Sequence, residues 1–426
     1  MAYSGIGERP ALFKAADEIG AIPSDLRQAH GLIMETIRFQ NRAEYLISKC
    51  VSKERFSGAP HGIASFLKIL AYLASEVNTS DRELERTVSW ARQVLGWKEL
   101  HPYETAIALI ASRRLRVDTV QLTELERLSL ETCHPAWLVR RIIEVFGRTF
   151  ALRLLQQDLK QLPTYVRLNP MKSKSITEFE SKIIPHLSPV KELEGVWRLN
   201  GPRDRIVRSK SWSDGEIVIQ DLASITAGAV ASPRVDESVL DLCAAPGNKT
   251  SHLAAMMENK GRICSIDNSR KRLSQWHREM ERTGCTIAHP VCADASSLPL
   301  TGEFDVVLID PSCSNTGALG KNPSIKWKIT PTRVNEHAKR QHAILREASK
   351  HLRSGGTLVY CTCSILPEEN EEIIYAFLSR NPDFRLVPQI PFLGSPGIRG
   401  YEQCQRFYPH LHDCNGYFIA KLKRTD

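Results

Sequence analysis

A chain of 426 residues, 42% hydrophobic and 25% charged, has the make-up of a soluble globular protein long enough for two or three domains, each with its own core. No stretch approaches the ~18 apolar residues that mark a membrane span, and the first thirty residues lack the apolar heart of a signal peptide, so a cytoplasmic protein with no membrane partner is expected. A net charge of +9 leans toward a polyanionic partner, and eleven cysteines, odd in number and without a short-spaced framework, read as reduced thiols.

Residues 1–157 read as helical. His134-Pro135-Ala136-Trp137 opens a helix with proline in its first turn, and Leu138, Ile142, Val145 and Phe146 follow at the spacing of a buried stripe. Ala64 to Ala74 and Thr105 to Ala111 behave alike, with Lys, Arg and His between the stripes. An ordinary solvated basic face explains those charges better than a dedicated RNA clamp does. Residues 158–231 change character. Thr164–Asn169 is strand-like, Ser175–Ile184 helix-like and Val196–Leu199 strand-like again, punctuated by Pro163, Pro170, Pro185 and Pro189. This is a small α+β subdomain. No repeat or low-complexity tract occurs anywhere.

From 232 to 426 the rhythm is strand, loop, helix, repeated. Ser238–Leu242 leads into Cys243-Ala244-Ala245-Pro246-Gly247-Asn248-Lys249 and a helix through Met257. Arg262–Ile266 ends at Asp267, and Ile287–Ala293 ends at Asp294. Phe304–Ile309 precedes the loop Asp310-Pro311-Ser312-Cys313-Ser314. A long helix over about Asn335–Leu352 follows, and then Gly356–Val359 leads into the loop Tyr360-Cys361-Thr362-Cys363-Ser364. Phe384–Val387 and Gly416–Leu422 close the domain. Alternation of this kind describes an α/β fold with a doubly wound, Rossmann-like parallel sheet.

Ligands of such sheets sit beyond the carboxyl ends of the strands. Small residues at Ala244, Ala245 and Gly247 let a ligand approach the backbone, and Asp267 stands where ribose hydroxyls are held. A dehydrogenase would use the same device, but the GxGxxG fingerprint is absent. Any one aspartate could be a helix N-cap. Carboxylates at Asp267, Asp294 and Asp310, on consecutive strand ends, suit S-adenosylmethionine better than a dinucleotide. Cys264, Cys292, Cys50 and Cys133 read as small buried hydrophobes. Cys313 and Cys363 differ because each lies past its strand, among polar residues. The Pro367-Glu368-Glu369-Asn370 helix start near Cys363 places a dipole beside the thiol. No CxxC pair or suitably spaced histidine points to a metal.

The segments Cys243–Lys249, Asp310–Ser314, Ile325-Lys326-Trp327, Thr362-Cys363-Ser364 and Pro367–Asn370 resemble the RsmB/Sun-type family of RNA cytosine-C5 methyltransferases. Gln220-Asp221-Leu222-Ala223-Ser224 and Arg406-Phe407-Tyr408-Pro409-His410 extend the resemblance from about residue 160 to the end. The helical first third is similar to the NusB-like RNA-binding domain of RsmB-type members. The resemblance implies a methyltransferase that forms 5-methylcytosine in RNA, ribosomal RNA ahead of transfer RNA, and that works as a monomer. By position it makes Cys363 the nucleophile, Cys313 the thiol that assists release, and Asp310 the carboxylate that meets the cytosine ring. It assigns Cys243, Ala244, Ala245, Pro246, Gly247, Asn248, Lys249, Asp267, Asp294 and Asp310 to S-adenosylmethionine. Asn248 stands where a glycine is usual and Ser312 where a proline is usual. An amino-group methyltransferase would carry an Asp/Asn-Pro-Pro-aromatic loop instead, and an inactive RNA-binding assembly factor need not keep both thiols.

Overall fold

A computed structural model describes residues 8–20, 22–118, 120–173 and 186–425, which divide into two compact units. One holds the residues up to Leu159 together with Asn322–Lys328, and the other holds Lys160–Lys321 and the chain from Ile329 onward. No helix among the described residues is long and apolar enough to cross a membrane.

The first unit carries helices and no strand among its described residues. Local signals set its boundaries. Ser80 and Glu83 form a capping box for the helix Asp81–Leu95, and Thr123 and Glu126 do the same for Glu124–Thr132. The helix His61–Ser75 buries Ile63, Leu67 and Leu70 in the core of the unit. The helix Ala136–Phe146 follows Pro135 and buries Leu138, Val139 and Ile142. Val145 and Phe146, expected on the same stripe, are only half-buried, because they fall in the last turn before Gly147, where Phe146 stacks on Phe150 with ring centroids 5.3 Å apart. The short helix Ile325–Lys328 belongs to this unit, where Trp327 Nε1 donates to the Ile37 carbonyl at 2.6 Å.

The second unit contains two sheets. Strands β1 (Thr164–Leu168), β2 (Leu187–Pro189), β3 (Val196–Leu199) and β4 (Ile217–Ile219) form an antiparallel sheet in the order β2-β3-β1-β4. The helix expected over Ser175–Ile184 lies outside the described residues. The larger sheet contains β5 (Ser238–Leu242), β6 (Arg262–Asp267), β7 (Ala288–Cys292), β8 (Phe304–Ile309), β9 (Leu352–Thr362), β10 (Phe384–Leu386), β11 (Ser395–Pro396), β12 (Gln405–Phe407) and β13 (Tyr417–Arg424). Its order is β11-β12-β13-β9-β8-β5-β6-β7, with β10 beside β13. Leu240, Leu242, Val307, Leu308 and Ile309 on β5 and β8 are fully buried, as strands covered on both faces must be.

The sheet is Rossmann-like but not wholly parallel. Strands β5 to β9 run parallel, whereas β13 lies antiparallel to β9, β12 and β10. The connection Tyr408–Gly416 between β12 and β13 is too short for a parallel crossover, which takes about a dozen residues or more. The long helix is Pro331–Ser349, starting earlier than expected because Thr330 caps it and Pro331 fits its first position. Leu352 belongs to β9 instead. That strand also takes in Tyr360, Cys361 and Thr362, expected in a loop, because they pair with Ala420, Ile419 and Phe418 of β13. Pro367–Glu369 is a single 3-10 turn, and the helix begins at Glu371. Of the cysteines expected inside, Cys133 is buried and Cys50 and Cys264 are half-buried, but Cys292 is exposed because β7 is an edge strand.

Candidate active site

Because β8 and β9 are parallel neighbours, with Ile309 opposite Tyr360, their carboxyl ends release the loops bearing Cys313 and Cys363 side by side. The two sulfurs lie 3.1 Å apart. Cys313 is buried, and the bond to Cys363 together with burial pushes its thiol pKa well up. Cys363 is half-buried, and its Sγ lies 2.8 Å from Asn315 Oδ1. The Gly317 amide donates to the Cys363 carbonyl at 2.9 Å, and the Gly416 amide to the Gly317 carbonyl at 2.7 Å. The backbones pass so closely that a Cβ on Gly317 would lie 1.9 Å from the Gly416 oxygen.

Asp310, first residue past β8, is held from two sides. Lys249 Nζ reaches its Oδ2 at 2.6 Å and the Tyr417 hydroxyl donates to its Oδ1 at 3.1 Å. Burial works against the charge on Lys249, but Asp310 outweighs it and raises the lysine pKa. The Tyr417 hydroxyl oxygen also lies 3.3 Å from Cys361 Sγ, and burial pushes the Cys361 thiol well up. Cys361 is thus part of the packing beneath the site.

The loop after β5 turns at Cys243, whose φ is +62°, and at Gly247, whose φ is +111°. A Cβ on Gly247 would meet Met280 Cε at 2.8 Å and Trp276 Cδ1 at 3.2 Å, so glycine is required by conformation and by packing. Ala244 and Ala245 are buried, and burial pushes the Cys243 thiol up to about 12. Asn248 occupies the first position of the helix Asn248–Met256, and its carbonyl accepts from Arg167 Nη2 at 3.1 Å. Pro246 precedes that turn, and Lys249 leaves it toward Asp310.

Asp267, the last residue of β6, is buried; its Oδ2 accepts from the Ala245 amide at 3.3 Å and its Oδ1 from Ser269 at 3.0 Å. Arg272 lies 3.3 Å from the same Oδ2. Asp294 stands apart, its Oδ1 accepting from the Ser296 amide and hydroxyl at 2.9 and 2.8 Å, with Arg340 3.5 Å from its Oδ2. The Ser296 bonds hold its carboxyl below the usual range. The fold therefore joins Cys313 to Cys363 and Lys249 to Asp310, at the ends of the neighbouring strands β8 and β9, and ties Asp267 to the loop after β5, while Asp294 remains a separate, half-exposed carboxylate.

Three further groups lie in segments that the sequence singles out without assigning them a role. Glu369 is fully buried and accepts from the Ser314 amide at 2.8 Å, from the Ser314 hydroxyl, and from Gln341 Nε2 at 3.1 Å. Asn370 accepts from Thr362 Oγ1 at 2.6 Å and donates to the Ser364 carbonyl at 2.9 Å. Arg406 pairs with Glu371 in the interior and donates to the Ile365 carbonyl at 2.9 Å. The Pro367–Asn370 and Arg406–His410 segments were the available signals, but neither names its partner. Ser312, in place of a proline, is exposed and its carbonyl accepts from Gln341 at 3.1 Å.

The profile of the family described as 16S rRNA methyltransferase RsmB/F matches residues 229–423. A Bacillus subtilis protein named probable ribosomal RNA small subunit methyltransferase B is 32% identical over 70% of this chain and 68% of its own length. The chain belongs to the RsmB/F methyltransferase family. A Pyrococcus horikoshii tRNA (cytosine(72)-C(5))-methyltransferase is 39% identical over 51% of this chain and 54% of its own length. The crystal structure of PH0851 superposes with a TM-score of 0.83 at 27% identity, covering 96% of this chain and 93% of the other.

As an RsmB/F family member the chain is an S-adenosylmethionine-dependent methyltransferase. Its residues fit that cofactor. Ribose hydroxyls, the adenine amine and the ammonium group are donors, the sulfonium and ammonium are cations, and Asp267, Asp294 and Asp310 are acceptors with negative charge. Asp241 on β5 accepts from Thr250 Oγ1 at 2.6 Å, while its other oxygen is buried without a hydrogen-bond partner among the described residues. A dinucleotide pyrophosphate would meet carboxylates at each of these strand ends. Among the described residues, no group of three His, Cys, Asp or Glu side chains could hold a metal ion.

Proposed function

We propose that the chain forms 5-methylcytosine in RNA, with ribosomal RNA as substrate ahead of transfer RNA, through a covalent bond between Cys363 and the base. The observation that carries this reading is the pair of sulfurs 3.1 Å apart at the ends of adjacent parallel strands, one of them in the loop that Asp310 opens. The target base must leave its stack to enter such a pocket. Cytosine C5 is a poor nucleophile. Addition of Cys363 Sγ to C6, with the Asp310 carboxyl group at N3, makes C5 electron-rich, which is covalent catalysis of the ordinary kind. S-adenosylmethionine, when bound, supplies the methyl group. Loss of the C5 proton and elimination of Cys363 then restore the ring, and Cys313 assists that elimination.

In this reading Cys243–Lys249, Asp267, Asp294 and Asp310 hold the cofactor, and Lys249 and Tyr417 fix the direction of Asp310. The chain works as a cytoplasmic monomer with three parts. Residues 1–157 are a NusB-like RNA-binding domain, 158–231 a linking α+β subdomain and 232–426 the methyltransferase domain. The net charge of +9 suits a polyanionic substrate. The test is nucleoside mass spectrometry of small-subunit ribosomal RNA transcribed in vitro and incubated with the protein and S-adenosylmethionine. The wild type produces 5-methylcytidine, and Cys363→Ala produces none while still binding the cofactor. Methylation at another atom, or near-normal turnover by Cys363→Ala, overturns the reading.

A further inference from the structure

The larger sheet has a second charged end, opposite the thiol loops. A cavity of about 440 Å³ opens there, where the helix Leu222–Ala231 stops covering the first residues of β8 and β9. Val306 on β8, Thr357 on β9 and Lys423 on β13 lie directly opposite one another, and Arg385 on β10 continues the row. Residues so paired share a face of the sheet, and Lys421, two residues before Lys423, shares it too. Four cations, Arg234, Arg353, Lys421 and Lys423, line the cavity beside two carboxylates, Glu237 and Asp305. Both carboxylates are already engaged. Asp305 pairs with Arg353 at 2.6 Å and accepts from the Ser238 amide at 2.8 Å, and Glu237 accepts from the Arg234 amide at 2.8 Å. The side-chain amines of Lys421 and Lys423 have no hydrogen-bond or ion-pair partner among the described residues. Burial and the like charge of Lys423 hold the Lys421 amine below its ordinary pKa. The carboxyl end of the helix carries about half a negative charge, which offsets less than one of the two lysines. What is left over is positive charge and N–H donors, the chemistry of a phosphate site.

We propose that this cavity holds the phosphodiester backbone of the RNA substrate, on a flank several nucleotides from the target base, with Lys421 and Lys423 as the contacting cations. The span of β9 from Thr357 to Cys363 covers about 20 Å at ~3.3 Å per residue, so one nucleotide cannot touch both ends. Side chains two residues apart on a strand stand ~6.6 Å from each other. That separation is comparable with the spacing of neighbouring phosphates along an RNA strand, which favours a polynucleotide over a single free phosphate. A contact of this kind sets the register of the RNA without reading its sequence. The proposal rests on RNA as the substrate and adds a second anchor for it.

The experiment measures binding of the full-length protein to small-subunit ribosomal RNA transcribed in vitro, across a range of potassium chloride concentrations. The double variant Lys421→Gln, Lys423→Gln should bind roughly tenfold more weakly at low salt, with two charged contacts gone. Its plot of log affinity against log salt should be shallower by about 1.4–1.8, since each neutralised phosphate contributes ~0.7–0.9. Lys423→Gln alone, at an exposed position, should lower the slope by about half as much. Lys421→Arg, Lys423→Arg keeps both charges and should keep affinity and slope. S-adenosylmethionine affinity should stay at the wild-type value throughout, which reports an intact fold. An unchanged slope in both Gln variants overturns the proposal, and so does an equal loss in the Arg pair. Binding of inorganic pyrophosphate that depends on the two lysines, with RNA binding unmoved, assigns the cavity to a small free anion and overturns it as well. Failure of the underlying reading is separate. In that case the wild type forms no 5-methylcytidine, whereas failure of this proposal leaves a wild type that methylates RNA and variants that bind it equally well.

Discussion

Asp241 shows how a single buried side chain ties the site to the stability of the protein. Burial pushes its carboxyl group up to about 7 from the ordinary 3.8, and Thr250 compensates only in part. Between those values the folded chain binds a proton that the unfolded chain has released, so this group contributes stability at low pH that is lost as the pH rises through 7. Asp241→Asn should therefore flatten the fall in melting temperature between about pH 4 and pH 7 relative to the wild type. Identical pH dependence in both proteins would contradict the assignment. At this scale the sequence was informative about residue type and silent about partners. Cys313, Cys363 and Asp310 stood out because each follows a buried apolar run. The pairing of Lys249 with Asp310, the Tyr417 hydroxyl on the same carboxylate and the contact of Asn315 with Cys363 depend on long-range strand order, which no local spacing encodes.

At the scale of elements, the turn Pro367–Glu369 is the support on which the thiol loops rest. Its buried carboxylate satisfies the Ser314 amide and hydroxyl, while Ser364 Oγ lies 3.2 Å from Ser314 Oγ and 3.0 Å from Thr316 Oγ1. Glu369→Ala leaves the Ser314 amide without a partner and should cost about 1–3 kcal/mol in chemical denaturation. It should also slow methylation at temperatures where the variant is still folded, because the Cys313 loop loses its anchor. An unchanged rate would mean that the network supports the fold alone. The strands and the long helix were largely legible from apolar runs, capping residues and prolines. The extension of β9 through Thr362 was not, since polar and small residues at Thr362 and Cys361 look like loop until β13 is laid beside them. The antiparallel placement of β13 was hidden for the same reason.

For the whole molecule, the proposed reaction divides bond formation and release between two thiols delivered by adjacent strands. The sulfurs 3.1 Å apart can attend the same base, and a single thiol is sufficient to activate C5. Removing Cys313 should leave addition and methyl transfer intact and block elimination. The direct measurement is denaturing electrophoresis of Cys313→Ala, Cys363→Ala and the double variant after incubation with small-subunit ribosomal RNA and S-adenosylmethionine. Cys313→Ala should accumulate a covalent protein–RNA adduct that survives denaturation, and the other two should form none. An adduct in Cys363→Ala and none in Cys313→Ala would reverse the two roles and contradict the proposed reaction.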